Sequence, residues 1–272
     1  MWLAKVYVLT SGKGGVGKTT LAANLGTAMA LKGERVALID ADIGLKNLDV
    51  VMGLENRIVY TLIDVANGKV HVFDALVRHK QLKNLSLLPA SQIATKEMIS
   101  PDDMKRIIGE MKERFDYIFV DCPAGIERGF RNAVAGADEA LIVTTPELPA
   151  ITDADRVIGL LENMGFEDDK IHLIVNRFKA HMVRNGDMLN IDDIKSALSI
   201  EVMGIVPDSE EVIISTNKGV PLSLNGADGR MNKILDGIVR RLEGEDVPIP
   251  NLNDLAEKNS LWNVIKSLFR HR

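Results

Sequence analysis

The sequence predicts an α/β fold, a three-layer sandwich on a mostly parallel sheet, and three observations carry that expectation. Short apolar runs rich in Val, Ile and Leu recur along the 272 residues, each followed by a stretch with helical spacing. Strands alternating with helices make βαβ units and a sheet covered on both faces. The first strand-to-helix junction is glycine-rich, "SGKGGVGKTT", residues 11–20. Finally, Asp40, Asp42 and Asp121 close predicted strands, which gathers carboxylates at the sheet end where such folds bind ligands.

Taken in order, "KVYVLT" is the first strand and feeds the glycine loop; "TTLAANLGTAMALKG" has helical spacing and stops at Gly33. "RVALID", "NLSLLPA", "YIFVD", "ADEALIVTT", "KIHLIVN" and "VMGIV" read as further buried strands. Segments around 102–113, 127–136, 152–164, 191–198 and 227–243 read as helices. "EGEDVPIPNLND", residues 243–254, has the prolines, acids and asparagines of a linker. The expected organisation is one domain over 1–243, a linker over 244–254 and an appended segment over 255–272.

Composition narrows the function. Apolar residues at 46% and charged residues at 26% suit a globular chain with a large core. No run of 18 apolar residues exists, so no spanning helix is expected, and the N-terminus flows into a strand without a cleavage site. The single cysteine, Cys122, cannot make an internal disulfide, which fits a reducing cytoplasm; burial is expected rather than reactivity. A net charge of −5 argues against a surface that is basic overall, so no specific nucleic-acid partner is expected. The five histidines show no metal spacing.

Gly12, Gly17, Lys18 and Thr19 satisfy the phosphate-loop pattern G-x-x-x-x-G-K-[ST] between a predicted strand and helix. In this P-loop nucleoside triphosphatase pattern, glycines let backbone N–H groups converge on phosphate oxygens. Lys18 would neutralise the β- and γ-phosphates and Thr19 would ligate Mg²⁺. Asp121, after an apolar run, stands where an acid holds a magnesium-bound water. A second lysine, Lys13, is harder to place in the same loop; on pattern alone it is a solvated lysine.

"KGGVGKT" resembles the deviant Walker A motif of the MinD/ParA ATPases. "DCPAGIE", "TTPELPAITDADRVIGLL", "NRFKAHMVRNGDMLNIDDI" and "GIVPDSEEVIISTNKGVP" are similar to the cell-division branch of that family, and the similarity runs from residue 5 to the C-terminus. The resemblance implies a Mg²⁺-dependent ATPase that dimerises with ATP. Lys13 would reach the partner's phosphates, in the manner of an arginine finger acting in trans. Catalysis would fall to Lys13, Lys18 and Asp42, with Asp42 orienting the attacking water; Thr19, Asp40 and Asp121 would serve the metal. Nucleotide contacts would come from Gly14, Gly15, Val16, Gly17, Lys18, Thr19 and Thr20. Asn176 would meet an adenine edge, although a strand-end cap suits it equally well, with Pro207 and Asp208 as the other wall. Asn47 and Asp153 would lie on the dimer and partner surface. The implied partners are a division inhibitor of MinC type and a MinE-type activator or other polar topology factor. The implied role is to place the division site by recruiting the inhibitor to the membrane, with hydrolysis releasing it. An FlhG-like flagellar-placement ATPase and a ParA-like partition ATPase are the alternatives; an Mrp-like carrier would want a C-x-x-C pair.

The last segment, "EKNSLWNVIKSLFRHR", places Leu261, Val264, Ile265 and Leu268 on one helical face, flanked by Trp262 and Phe269. From residue 255 the chain carries Lys258, Lys266, Arg270 and Arg272 against Glu257, a net +3 that leaves −8 for the rest. This suits a helix lying in an anionic membrane surface, and the resemblance to the family's membrane-targeting tail agrees. The competing expectation is a terminal helix docked on the protein's own core. The expected location is cytoplasmic, bound peripherally to the inner face of the cell membrane.

Overall fold

The computed structural model describes residues 4–44, 47–91, 98–224, 226 and 229–250. The expected membrane residues Leu261, Trp262, Ile265, Leu268 and Phe269 lie outside these. The strands are β1 (Lys5–Thr10), β2 (Val36–Asp40), β3 (Val77–Arg78), β4 (Leu85–Leu88), β5 (Tyr117–Asp121), β6 (Glu139–Thr144), β7 (Ile171–Phe178) and β8 (Glu201–Pro207). The longer helices are α1 (Lys18–Leu31), α5 (Pro101–Met111), α6 (Arg128–Val134), α7 (Leu148–Asn163), α9 (Ile191–Leu198), α10 (Glu210–Asn217) and α11 (Arg230–Leu242). Short helices α2 (Leu48–Val51), α3 (Leu62–Ala66), α4 (Val72–Ala75) and α8 (Ala180–Arg184) fill the connections.

The strands form one sheet in the order β3-β4-β2-β5-β1-β6-β7-β8, parallel except for the antiparallel edge strand β3. The chain leaves β1 toward one edge to make β2, then crosses from β5 past β1 to make β6. Right-handed crossovers in opposite directions put α1 on one face and α6 on the other. α11 packs on α1 and β8, while α5, α6, α7 and α9 share the α6 side, which completes the three layers. The central strands are buried on both faces; β2, for example, is buried at every residue. That explains why they read as continuous apolar runs.

The boundaries differ from expectation at α7, which begins at Leu148, ahead of residue 152. Pro149 in its first turn is the reason, since proline is pre-set for that position and lacks only an N–H that would be unpaired. The four- and five-residue helices, α10 (Glu210–Asn217) and the two-residue β3 are additions that sequence periodicity is too short to register.

At the amino ends of the strands, Glu139 is buried beside two lysines and a histidine. Lys5 lies 3.0 Å away, Lys170 3.5 Å, and His172 Nε2 3.0 Å. Burial pushes the Glu139 carboxyl up, but His172 and Lys5 outweigh it and hold it at about 2, below the ordinary 4.5. The resulting stability is fully present above pH 4.5 and is lost as pH falls from there through 2. Glu139→Gln is expected to cost about 2–3 kcal/mol in urea unfolding at pH 7. That is less than a fully buried pair, because Lys5 and Lys170 are 41% and 42% exposed. The gap between variant and parent should narrow below pH 4.5; a gap unchanged down to pH 2.5 would contradict the charge assignment.

Candidate nucleotide site

The glycine loop bridges the carboxyl end of β1 and the start of α1, beside the place where the crossover direction reverses. Two of its glycines have structural reasons that the phosphate pattern does not give. A Cβ on Gly12 would sit 2.5 Å from the Cβ and carbonyl oxygen of Asp153, so α7 presses directly on the loop. Gly17 has φ +101°, and a side chain there would run into Asn176 Nδ2. That amide donates to the Val16 carbonyl at 2.7 Å, so β7 fastens the loop's end.

Lys18 is buried, and its ammonium donates to Ser11 Oγ at 2.8 Å. Ser11 Oγ in turn donates to the Lys13 carbonyl at 2.7 Å. The ammonium is thus drawn across its own loop by a neutral hydroxyl. Lys13 behaves differently. Its side chain is 52% exposed and its nearest acid is Glu147 at 3.9 Å, so it projects outward while Lys18 points in.

Asp40 and Asp121 pair in register on adjacent strands, and both are buried. Burial, then the Asp121 charge, raises the Asp40 carboxyl well above its ordinary range. It does so although the N–H groups of Asp42 and Leu48 donate to it at 3.0 and 3.3 Å. Burial also pushes Asp121 up to about 7, with Asp42 adding to the rise and Thr19 and Lys18 opposing it. Neither Asp121 carboxylate oxygen has a partner in full hydrogen-bond geometry, the Thr19 hydroxyl being the donor that lies beside them. Two crowded acids, one with orphaned oxygens and a hydroxyl beside it, form a hard-oxygen set suited to Mg²⁺. Asp42 is half-buried, and Asn47 Nδ2 donates to its Oδ2 at 3.1 Å. Among the described residues no His/Cys/Asp/Glu cluster suggests another metal site. Cys122 is buried and its thiol is pushed up to about 12 by that burial, which is the unreactive state expected.

Behind the loop lies a cavity of about 240 Å³ whose lining includes Gly17, Thr20, Asn176, Pro207 and Asp208. Residues from β7, β8 and α1 therefore line one cavity. The lining also includes Asn24 and Arg177, which sequence reasoning missed. Arg177 holds φ +54°, beside the register shift between Val175 and Phe178; nothing in the local sequence signals that geometry. Asn24 stands one helical turn after Thr20, a spacing that could have suggested it.

Asp42→Ala is expected to leave nucleotide binding near the parent level while turnover falls 10²-fold or more, about the value of a positioned proton-transfer or water-orienting group. Phosphate release at saturating Mg·ATP measures it; normal turnover would remove Asp42 from catalysis.

Fold, loop and buried acids together define a P-loop nucleoside triphosphatase. The family model for the CobQ/CobB/MinD/ParA nucleotide binding domain matches residues 7–222. The chain is 66% identical to the septum site-determining protein MinD of Thermotoga maritima, over 98% of each chain. It is therefore a member of the MinD family of septum site-determining ATPases. Among solved structures, the MinC:MinD cell division complex of Aquifex aeolicus is 48% identical, with TM-score 0.85, covering 91% of this chain and 99% of that one. The Pyrococcus horikoshii MinD complexed with Mg-ADP is 26% identical, with TM-score 0.79, covering 89% and 96%.

Proposed function

We propose that this chain is an ATP-driven switch that places the division site by carrying a MinC-type inhibitor to the membrane. ATP assembles a homodimer, and hydrolysis, prompted by a MinE-type activator or another polar topology factor, takes it apart. Flagellar-placement and partition readings are not favoured, because the relatives matched across nearly the whole chain are septum site-determining proteins. The observation that carries the switch is the opposed placement of two loop lysines, Lys18 drawn inward and Lys13 outward.

Each residue then has a task. Glycine-loop N–H groups and Lys18 take the charge of the β- and γ-phosphates. Thr19, Asp40 and Asp121 are the residues that would hold Mg²⁺, which when bound neutralises charge on the transferring phosphoryl group. Asp42, held by Asn47, orients the attacking water. Asn176, Pro207 and Asp208 enclose the base. Lys13 reaches the partner's phosphates, so assembly depends on the γ-phosphate lying between subunits.

The chain divides into an ATPase domain over 1–243, a linker over 244–254 and a membrane helix over 255–272. Among the described residues no helix is long and apolar enough to cross a membrane. Attachment is peripheral, at the inner face of the cell membrane, through Leu261, Trp262, Ile265, Leu268 and Phe269. A single short helix binds weakly, whereas two tied in a dimer gain roughly 10²–10⁴ in avidity. Flotation with anionic vesicles tests this. Binding should require Mg·ATP, fall with salt, and disappear when 255–272 is deleted; equal flotation of the truncated protein would refute it.

A further inference from the structure

Residues 244–250 contain neither helix nor strand, yet they are fastened to the body. Arg241, in the last turn of α11, is half-buried. Its Nε donates to the Met203 carbonyl in β8 at 2.7 Å, and its Nη1 donates to the Val247 carbonyl at 2.9 Å. One guanidinium therefore bridges a sheet strand and the segment that follows its own helix. That fork of donors is something lysine cannot reproduce. Along the segment Val247 and Ile249 turn inward while Asp246, Pro248 and Pro250 stay exposed, the alternation of an extended chain laid on a surface. Ile249 packs against the hydrophobic core.

The end of α11 is itself secured, since the Tyr7 hydroxyl donates to the Leu242 carbonyl at 2.8 Å. Val247 and Ile249 share one cavity of about 730 Å³ with Lys5, Glu139 and Glu201, at the amino ends of β1, β6 and β8. The phosphate loop follows the carboxyl end of β1. The attachment therefore lies at the sheet end away from the nucleotide.

We infer that Arg241 is a positioning residue that straps residues 244–250 to the sheet end opposite the phosphate loop and so fixes where the C-terminal membrane segment departs. The inference rests on the membrane role proposed for 255–272. With the strap closed, about 4 residues separate Pro250 from residue 255, a reach of at most about 18 Å. Released, the free linker grows to about 11 residues. Beyond the length that spans the two sites, effective concentration falls as roughly the −3/2 power of linker length, which would make the second tail of a dimer about fivefold less available.

The test compares full-length parent, Arg241→Ala and Ile249→Ser on vesicles of phosphatidylglycerol and phosphatidylethanolamine. Both variants should bind about fivefold more weakly as the Mg·ATP dimer. Their Mg·ADP forms should match the parent, as should turnover in solution. A residue that merely stabilised the fold would not separate dimer from monomer in this way. Amide exchange over 245–250 should quicken while α11 stays protected. If exchange there is unchanged, or if dimer affinity stays within twofold of the parent while deletion of 255–272 abolishes binding, the strap is rejected and the membrane role stands. If the deleted protein still binds, the membrane role fails and the strap's purpose fails with it.

Discussion

Lys18→Ala is expected to abolish ATP binding at millimolar nucleotide while leaving the fold intact. Lys18 is buried, and among the described residues no acid lies within 4 Å of its ammonium; its hydrogen-bond partner is the Ser11 hydroxyl. A buried cation, attracted by Asp121 but hydrogen-bonded to a neutral hydroxyl, is further stabilised when phosphate arrives. Losing one partner of a buried, hydrogen-bonded charge pair costs about 2–5 kcal/mol, or about 30- to 4000-fold in Kd. The nucleotide-free variant should melt close to the parent, since relief of the buried charge is offset by the loss of its attraction to Asp121. The parent gains about 2.7 kcal/mol at a ligand concentration 100 times its Kd, and the variant should gain almost none. Thermal shift with and without Mg·ATP reads both effects. A variant stabilised by ATP as much as the parent would contradict the assignment.

Lys13→Ala has the second large effect, of a different kind. The side chain is half-exposed, and its contact with Glu147 at 3.9 Å is loose, a surface pair worth at most about 0.5 kcal/mol. Folding and the affinity of one chain for nucleotide should hardly change. Turnover should nevertheless fall by about 10³-fold or more, the range for a cation supplied in trans to a transferring phosphoryl group. Glu147→Ala serves as the control: removing the acid frees Lys13 without deleting it, so turnover should be kept. A Lys13→Ala protein that hydrolyses ATP within threefold of the parent would show that the lysine has no part in the reaction.

The sequence and the structure agree most where chemistry is local. β1 and the loop after it were legible together, because a phosphate loop needs its residues within a few positions of one another. The acids at strand ends were legible because parallel strands align their carboxyl ends, and the register of Asp40 beside Asp121 bears this out. What escaped was set by tertiary approach. Gly12 is required by α7 as much as by a phosphate, and Asp153 lies 141 positions away in the chain. Ser11 gave no sign that it would hold Lys18, since a serine before a loop is common. Arg177 takes its left-handed backbone from a strand irregularity that depends on β8 alongside. The helices α2, α3, α4 and α8 are held by packing, because four or five residues cannot sustain a helix alone.

The central claim is that the γ-phosphate lies between two chains and holds them together through Lys13. Sedimentation velocity of the parent protein tests it most directly, with a non-hydrolysed Mg·ATP analogue in one cell and Mg·ADP in the other. Twice the chain mass is expected with the analogue and a single chain with ADP. One chain in both cells, or a dimer of equal stability in both, would contradict it.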